Sequence, residues 1–404
     1  MNQSAVKERG ETMQTKEKTV CELNQCCGCS ACVDICPKNA ITIKDTLKAN
    51  NAVIDIGKCI ECGACTRVCQ HINTVKPVEP IQWYQGWCED KEIRKEGSSG
   101  GVCGAIAQAF VNMGGSVCSC VFKDGKFGFV FAGDSEGLKQ FAGSKYVKSN
   151  PSGIYKEIRI RLQHGEDVLF IGLPCQVAAV KNFVGEKLQA NLYTADLICH
   201  GTPSPELLEI FLRQYERSLK EIQDIKFRIK GGFQVYVGFK GIITTGVTDK
   251  YLLAFLNSLI YTDNCYSCQY ASVERVSDLT LGDSWGTRLS EEEKKKGISL
   301  LLVQTEKGAE LLDKARLHRE KVDVENAIKN NHQLYEPSHA PKAREAFFKR
   351  INDDKKFNDS VFRAFPKACL KQDIKCILIK TGLRKSCGGG NPNYGIMIKD
   401  RGME

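Results

Sequence analysis

Two cysteine runs carry the densest chemistry in the chain: Cys26-Cys27-Gly28-Cys29-Ser30-Ala31-Cys32-Val33-Asp34-Ile35-Cys36-Pro37, and Cys59-Ile60-Glu61-Cys62-Gly63-Ala64-Cys65-Thr66-Arg67-Val68-Cys69. Each fits the spacing C-x2-C-x2-C-x3-C. Three thiolates spaced this way on a tight turn can cap three corners of an iron–sulfur cubane, and the fourth must come from elsewhere. Structural zinc calls instead for four ligands per site in paired knuckles. Cubanes move electrons singly, so these residues point to one-electron transfer.

The first run closes in Cys36-Pro37, as in the bacterial two-cluster ferredoxin pattern, where the last cysteine of each run ligates the other run's cluster. On that pattern Cys26, Cys29, Cys32 and Cys69 hold one 4Fe-4S centre, and Cys59, Cys62, Cys65 and Cys36 hold the second. Cys27 shares no spacing with the pattern and reads as a bystander.

Composition bounds the rest. The chain has 404 residues, 21 cysteines and a formal net charge of +9. Residues 1–20 are polar and charged, without the apolar stretch of a signal peptide, so a reducing, cytoplasmic compartment is expected. No apolar run approaches the roughly 18–20 residues needed to span a bilayer. Basic and acidic residues are interspersed, as in 291–296, so nucleic-acid binding is not indicated. The positive balance would suit an acidic electron carrier or redox partner protein.

The elements that must position these thiols read as an α+β chain: an N-terminal ferredoxin-like two-cluster module followed by a mixed α/β domain. A leader occupies 1–20 and the cluster module 21–75, with an apolar–polar alternation over Ala40 to Ile56 that predicts a short hairpin. Pro77 and Pro80 mark a linker. The mixed domain spans 83–345 and a polar tail 346–404. Within the domain, Val102 to Met113 reads as a helix stopped by Gly114-Gly115. Strands are expected at Val117 to Phe122, Lys126 to Phe131, Val168 to Gly172, Leu192 to Cys199, Ile225 to Ile229, Gln234 to Phe239 and Ile242 to Thr245. A helix is expected at Tyr251 to Ile260. Strand-to-helix transitions at Leu173-Pro174-Cys175 and His200 to Pro205 are places where α/β folds gather ligands.

Cys175 and Cys199 end two of these strands, and Cys265-Tyr266-Ser267-Cys268 supplies a C-x2-C. By spacing alone they are either a further metal centre or ordinary buried thiols. Cys88, Cys103, Cys118, Cys120, Cys369, Cys376 and Cys387 show no ligand spacing. Gly97-Ser98-Ser99-Gly100-Gly101 at a helix start either cradles a phosphate on backbone N–H groups or is only a turn. It is not the G-x-G-x-x-G dinucleotide fingerprint. In Gly143-Ser144-Lys145-Tyr146 the lysine could pair with phosphate and the tyrosine stack on an aromatic ring.

Taken in order, Gly97 to Gly101, Gly143 to Val147, Gly172-Leu173-Pro174-Cys175-Gln176, Cys199-His200-Gly201, Cys265 to Cys268 and Ser277-Asp278-Leu279-Thr280-Leu281-Gly282-Asp283-Ser284-Trp285-Gly286 resemble the beta subunit of coenzyme F-420 hydrogenase/dehydrogenase. The resemblance covers roughly 83–345. It implies a flavoprotein that binds FAD beside an iron–sulfur cluster and exchanges electrons between a hydride carrier, such as the deazaflavin coenzyme, and one-electron centres. Carried over to this chain, it implies FAD on Ser98, Ser99, Gly100, Gly101, Lys145 and Tyr146, and a third 4Fe-4S cluster on Cys175, Cys199, Cys265 and Cys268. Asp278 and Asp283 match a family motif, or else are turn and cap residues around one strand. His200 is a candidate proton relay, and no catalytic side chain is named. The expectation is an iron–sulfur flavoprotein oxidoreductase. The alternative is an electron-transfer subunit without its own substrate, feeding a separate reductase or transferase.

Overall fold

Residues 17–229, 232–238 and 240–384 are described in a computed structural model. Most of the leader and Cys387 lie outside the described residues. The alternation after the first cysteine run folds as expected. Strand β1 (Ile41–Asp45) pairs antiparallel with β2 (Asn50–Ile54), with Ile41 opposite Ile54. Their apolar face packs with Val20 and Ala52 on Cys26 and Cys32, so the hairpin forms the wall behind the thiols.

An eight-stranded mixed sheet organises the following domain. Its strands are β3 (Gln82–Cys88), β4 (Ser116–Lys123), β5 (Lys126–Ala132), β6 (Val168–Gly172), β7 (Leu192–Leu197), β11 (Leu279–Asp283), β12 (Ser299–Val303) and β13 (Leu317–Lys321). The order is β13-β3-β12-β11-β7-β6-β4-β5. The central strands β11, β7, β6 and β4 are parallel, and antiparallel pairs flank them on both sides. Burial on both faces explains why β6 and β12 read as unbroken apolar runs instead of alternating ones. Helices Val102–Asn112 and Pro174–Val184 cover the sheet.

The strands β8 (Ile225–Ile229), β9 (Gly232–Val237) and β10 (Lys240–Gly241) form a separate small antiparallel sheet. Its Phe227, Phe233 and Val235 share a core with Phe211, Tyr251 and Phe255. Two expectations fail here. Ile242 to Thr245 is bends and a turn instead of a strand, and the helix expected to reach Ile260 is Lys250–Leu256. Ser258, at a φ of 55°, turns the chain just beyond it. The described part of the stretch after 345 is helical and anchored to the domain. Helices Arg344–Asn352, Phe357–Ala364 and Pro366–Lys380 send Phe347, Phe357, Val361 and Cys369 into the Phe211–Tyr251 core. Each large side chain buried there contributes about 1.5–3 kcal/mol.

Candidate functional site

The two cysteine runs fold as copies of one turn. Each places two residues in the left-handed region, Gly28 and Ser30 at φ 71° and 62°, and Glu61 and Gly63 at 52° and 69°. A five-residue helix follows in each, Ala31–Ile35 and Ala64–Val68, and ends at Cys36 or Cys69 in the same extended conformation. Backbone N–H groups turn onto sulfur: Gly28 N lies 3.4 Å from Cys26 Sγ, Glu61 N 3.4 Å from Cys59 Sγ and Ala40 N 3.3 Å from Cys36 Sγ. Such donors stabilise negative charge on a thiolate or cluster and tune its potential.

The last cysteine of each run lies near thiols of the other run. The Cys21 thiol faces both Cys26 and Cys69, so the end of the second run stands near the start of the first. Cys36 and Cys59 both face Cys65. Residue identity and placement therefore fit two cubanes. The environments differ, because Cys26, Cys29 and Cys32 are buried whereas Cys62 is exposed.

The cluster module is built into the larger domain. Cys27, Cys29, Ala31 and Val68 share an apolar core with Phe170, Val177 and Phe183. Asp34 accepts from Gly153 N at 2.7 and 2.9 Å, placing a carboxylate at the start of helix Ile154–Gln163. Burial raises the Asp34 carboxyl despite these N–H donors. Ser30 Oγ donates to Asn150 Oδ1 at 3.0 Å, and Tyr270 OH donates to Gln70 Oε1.

At this junction the carboxyl ends of β6 and β7 open a cavity of about 80 Å³. Its lining includes Cys27, Cys175, Cys199, His200, Cys265 and Cys268. Parallel strand ends collect ligand-facing groups in this way. Cys175 begins helix Pro174–Val184, Cys199 follows β7, and the last two lie at the 3-10 turn Asp263–Ser267. The Lys148 ammonium donates to the Cys27 carbonyl at 2.9 Å. Burial alone would lower its pKa, but the facing Cys265, Cys27 and Cys175 thiols reverse this and raise it. Desolvation by the surrounding protein lowers the His200 imidazole below its usual value, although the residue is exposed at the mouth of the cavity. Arg275 and Asp196 form a buried pair at 2.9 Å beside the cavity.

The glycine-rich helix start is occupied by the protein itself. Ser98 Oγ accepts from Ser144 N at 2.7 Å, Ser99 Oγ donates to Ile298 O at 2.9 Å, and Gly100 N donates to Ser299 Oγ at 3.0 Å. A Cβ on Gly100 would lie 2.5 Å from Gly86 O and 2.8 Å from Ser299 N, so glycine is required for chain packing. Lys145 Nζ donates to the Phe141 and Ala142 carbonyls at 2.9 and 3.2 Å. Tyr146 stacks on Phe255 with ring centroids 4.6 Å apart.

Asp278 and Asp283 are more than turn or cap residues. Asp278 accepts from Thr194 N and Thr194 Oγ1, both at 2.7 Å, and from Thr305 Oγ1 at 2.8 Å, pinning β7 to β11. Asp283 makes a bidentate pair with Arg228 at 2.6 and 3.1 Å.

Three sequence matches bear on this arrangement. Residues 25–72 match the family described as 4Fe-4S dicluster domain. Residues 83–154 match the N-terminal part of the coenzyme F420 hydrogenase/dehydrogenase beta subunit, and 165–329 match its C-terminal part. The chain belongs to the coenzyme F420 hydrogenase/dehydrogenase beta subunit family. It carries an N-terminal 4Fe-4S domain. A search of curated proteins gives no match. Among solved structures, a chain of the xenon-derivatised F420-reducing NiFe hydrogenase complex from Methanosarcina barkeri is 18% identical with a TM-score of 0.46, covering 69% of this chain and 96% of that one.

These findings correct the cofactor expectations. FAD on Ser98, Ser99, Gly100, Gly101, Lys145 and Tyr146 is overturned, because the matched family is described by coenzyme F420 and the donors proposed for flavin phosphate are engaged within the chain. The third cluster on Cys175, Cys199, Cys265 and Cys268 is also withdrawn. The cluster-domain match is confined to 25–72, and the Cys175 thiol faces Cys27, which with burial raises its pKa well above the usual thiol value. This beta-subunit-family chain is an iron–sulfur oxidoreductase component, and the reading as a flavoprotein enzyme gives way to the electron-transfer alternative. Sequence reasoning missed Lys148, to which no motif draws attention, and Cys27, whose only signal is a cysteine inside an x2 spacer.

Proposed function

We propose that the chain is an iron–sulfur electron-transfer subunit serving a complex in which coenzyme F420 is the hydride carrier. The observation that carries this reading is the asymmetric burial of the two cysteine runs: Cys29 is enclosed against the α/β domain and Cys26 and Cys32 against the hairpin, while Cys62 reaches solvent. Such a pair conducts between an enclosed centre and a partner docked at the surface. Cys26, Cys29, Cys32 and Cys69 are the ligands of the inner 4Fe-4S cluster, and Cys36, Cys59, Cys62 and Cys65 those of the outer one. The repeated turns, the N–H donors on sulfur and the facing of Cys21 on both Cys26 and Cys69 support that assignment.

One hydride equivalent, taken up by a hydride acceptor of the complex, yields two electrons and one released proton, and two single-electron clusters can each take one of the electrons. A reducing cytoplasmic location fits the free thiols among the described residues, and none of the described helices is long and apolar enough to cross a membrane. The test uses the full chain, reconstituted anaerobically and followed by electron paramagnetic resonance. Reduced coenzyme F420, with the partner present, is expected to reduce both clusters, and reduced nicotinamide to leave them oxidised. Clusters that respond to nicotinamide and ignore coenzyme F420 would overturn the reading.

A further inference from the structure

We propose that His332, Glu336 and His339 form a site for one divalent cation of the zinc class, separate from the cysteine sites. Their ligand atoms lie within 4.8 Å of one another. His332 Nδ1 is 3.4 Å from Glu336 Oε1, and His339 Nε2 is 3.5 Å from Glu336 Oε2. Both separations exceed the usual hydrogen-bond range of about 2.7–3.2 Å. The Glu336 carboxylate thus stands between the two imidazoles, one oxygen toward each, and the three groups are close enough to converge on a single cation at zinc bond lengths of about 2.0–2.1 Å.

The hydrogen bonding of His332 supplies a second, independent observation. Its Nε2 lies 3.1 Å from the Pro337 carbonyl oxygen, which can only accept, so Nε2 carries the proton and Nδ1 presents its lone pair toward Glu336. Metal-binding histidines are commonly oriented by such a backbone carbonyl at the other ring nitrogen. The Tyr335 hydroxyl, 2.9 Å from Nδ1, donates into that lone pair. Its ring is half exposed, so it can turn aside when a cation takes the position.

Two imidazoles and one carboxylate suit zinc better than the hard cations magnesium and calcium, and leave one coordination position for water. The site would brace a wall of the thiol-lined cavity. The three residues lie on one short strap whose Gln333, Pro337 and Ser338 line that cavity. Ser338 Oγ also donates to the His200 carbonyl at 2.7 Å. A cation joining the two ends of the strap would fix this wall without touching the cavity thiols.

The test is equilibrium dialysis of the iron-loaded full chain against zinc, with metal analysis and zinc-edge X-ray absorption. Wild type is expected to hold one more zinc per chain than His332→Ala or His339→Ala, through nitrogen and oxygen ligands. Glu336→Gln should weaken binding by about 100-fold, at the upper end of what losing even an orienting partner costs. His339 is 68% exposed, so its replacement leaves the fold intact. Zinc should slow hydrogen exchange over 331–343 in wild type and not in His339→Ala. Equal zinc retention by wild type and both histidine variants, or a purely sulfur ligand shell, would overturn the site.

Discussion

The Lys148 ammonium reaches the carbonyl oxygen of Cys27 at 2.9 Å across 121 residues of sequence. This bond fastens the first cysteine run to the α/β domain and sets a buried positive charge beside thiols of both parts. A nearby cation favours the reduced, more negative state of an iron–sulfur cluster. Lys148→Met should therefore lower the potential of the inner cluster by on the order of 50 mV, a little over 1 kcal/mol for one electron. Lys148→Arg should largely restore it. Potentiometric titration checks both, and equal potentials in wild type and Lys148→Met would remove the lysine from the electrostatics of the relay.

Unequal burial predicts an order of cluster loss. Cys62 is exposed, whereas Cys26, Cys29 and Cys32 are enclosed. Limited exposure to air or chelator should remove about four irons as a first phase, by the iron count of one cubane. Cys62→Ser should abolish that phase and spare the slower one. Cys69→Ser should instead damage the inner cluster, because Cys69 and Cys26 both act on Cys32. Iron release followed with time distinguishes these outcomes, and a single phase of all the iron would contradict them.

Legibility in the sequence followed how local each constraint was. The cysteine turns were readable because cubane ligation imposes a spacing within a few residues, and the hairpin because Ile41, Ile43 and Ile54 alternate with polar neighbours. The helices after 343 were obscured because Phe347, Phe357 and Val361 are scattered among charged residues, and their partner Phe211 is distant in the chain. The cavity thiols were found, but their joining by Cys27 depends on docking of the two parts. Most instructive is Gly97 to Gly101, since glycine permits close approach by a phosphate and by another backbone alike. The approaching atoms belong to Gly86 and Ser299.

Gly100 consequently yields a stability prediction. A Cβ there would meet backbone atoms of Gly86 and Ser299, which cannot swing away as a flexible side chain can. Gly100→Ala should destabilise the chain by about 1–3 kcal/mol, the usual cost of overpacking. Ser98→Ala removes only the acceptor for Ser144 N, 2.7 Å away in the wild type, and should cost about 1 kcal/mol. Denaturant unfolding of the iron-loaded proteins measures both. A Gly100→Ala variant as stable as wild type would show that the crowding is relieved by movement of the strands.

His200 yields a prediction about acid stability. Desolvation pushes its imidazole down from 6.5 to about 4, outweighing the opposing pull of Asp283. The native state therefore binds fewer protons than the unfolded state between those values, so stability must fall as pH drops through this window. Above about pH 6.5 both states hold the ring neutral, and the penalty is absent. Below about pH 4 the native ring is protonated as well, and the loss levels off. Because part of the residue is open to water, which screens the charge, the total loss is expected on the order of 1 kcal/mol, well short of the full value of about 1.4 kcal/mol per pKa unit. His200→Gln should flatten the fall between pH 6.5 and 4, whatever its effect on stability at neutral pH. Unfolding free energies of variant and wild type across that range test the assignment. Parallel curves would mean that another group governs the acid transition.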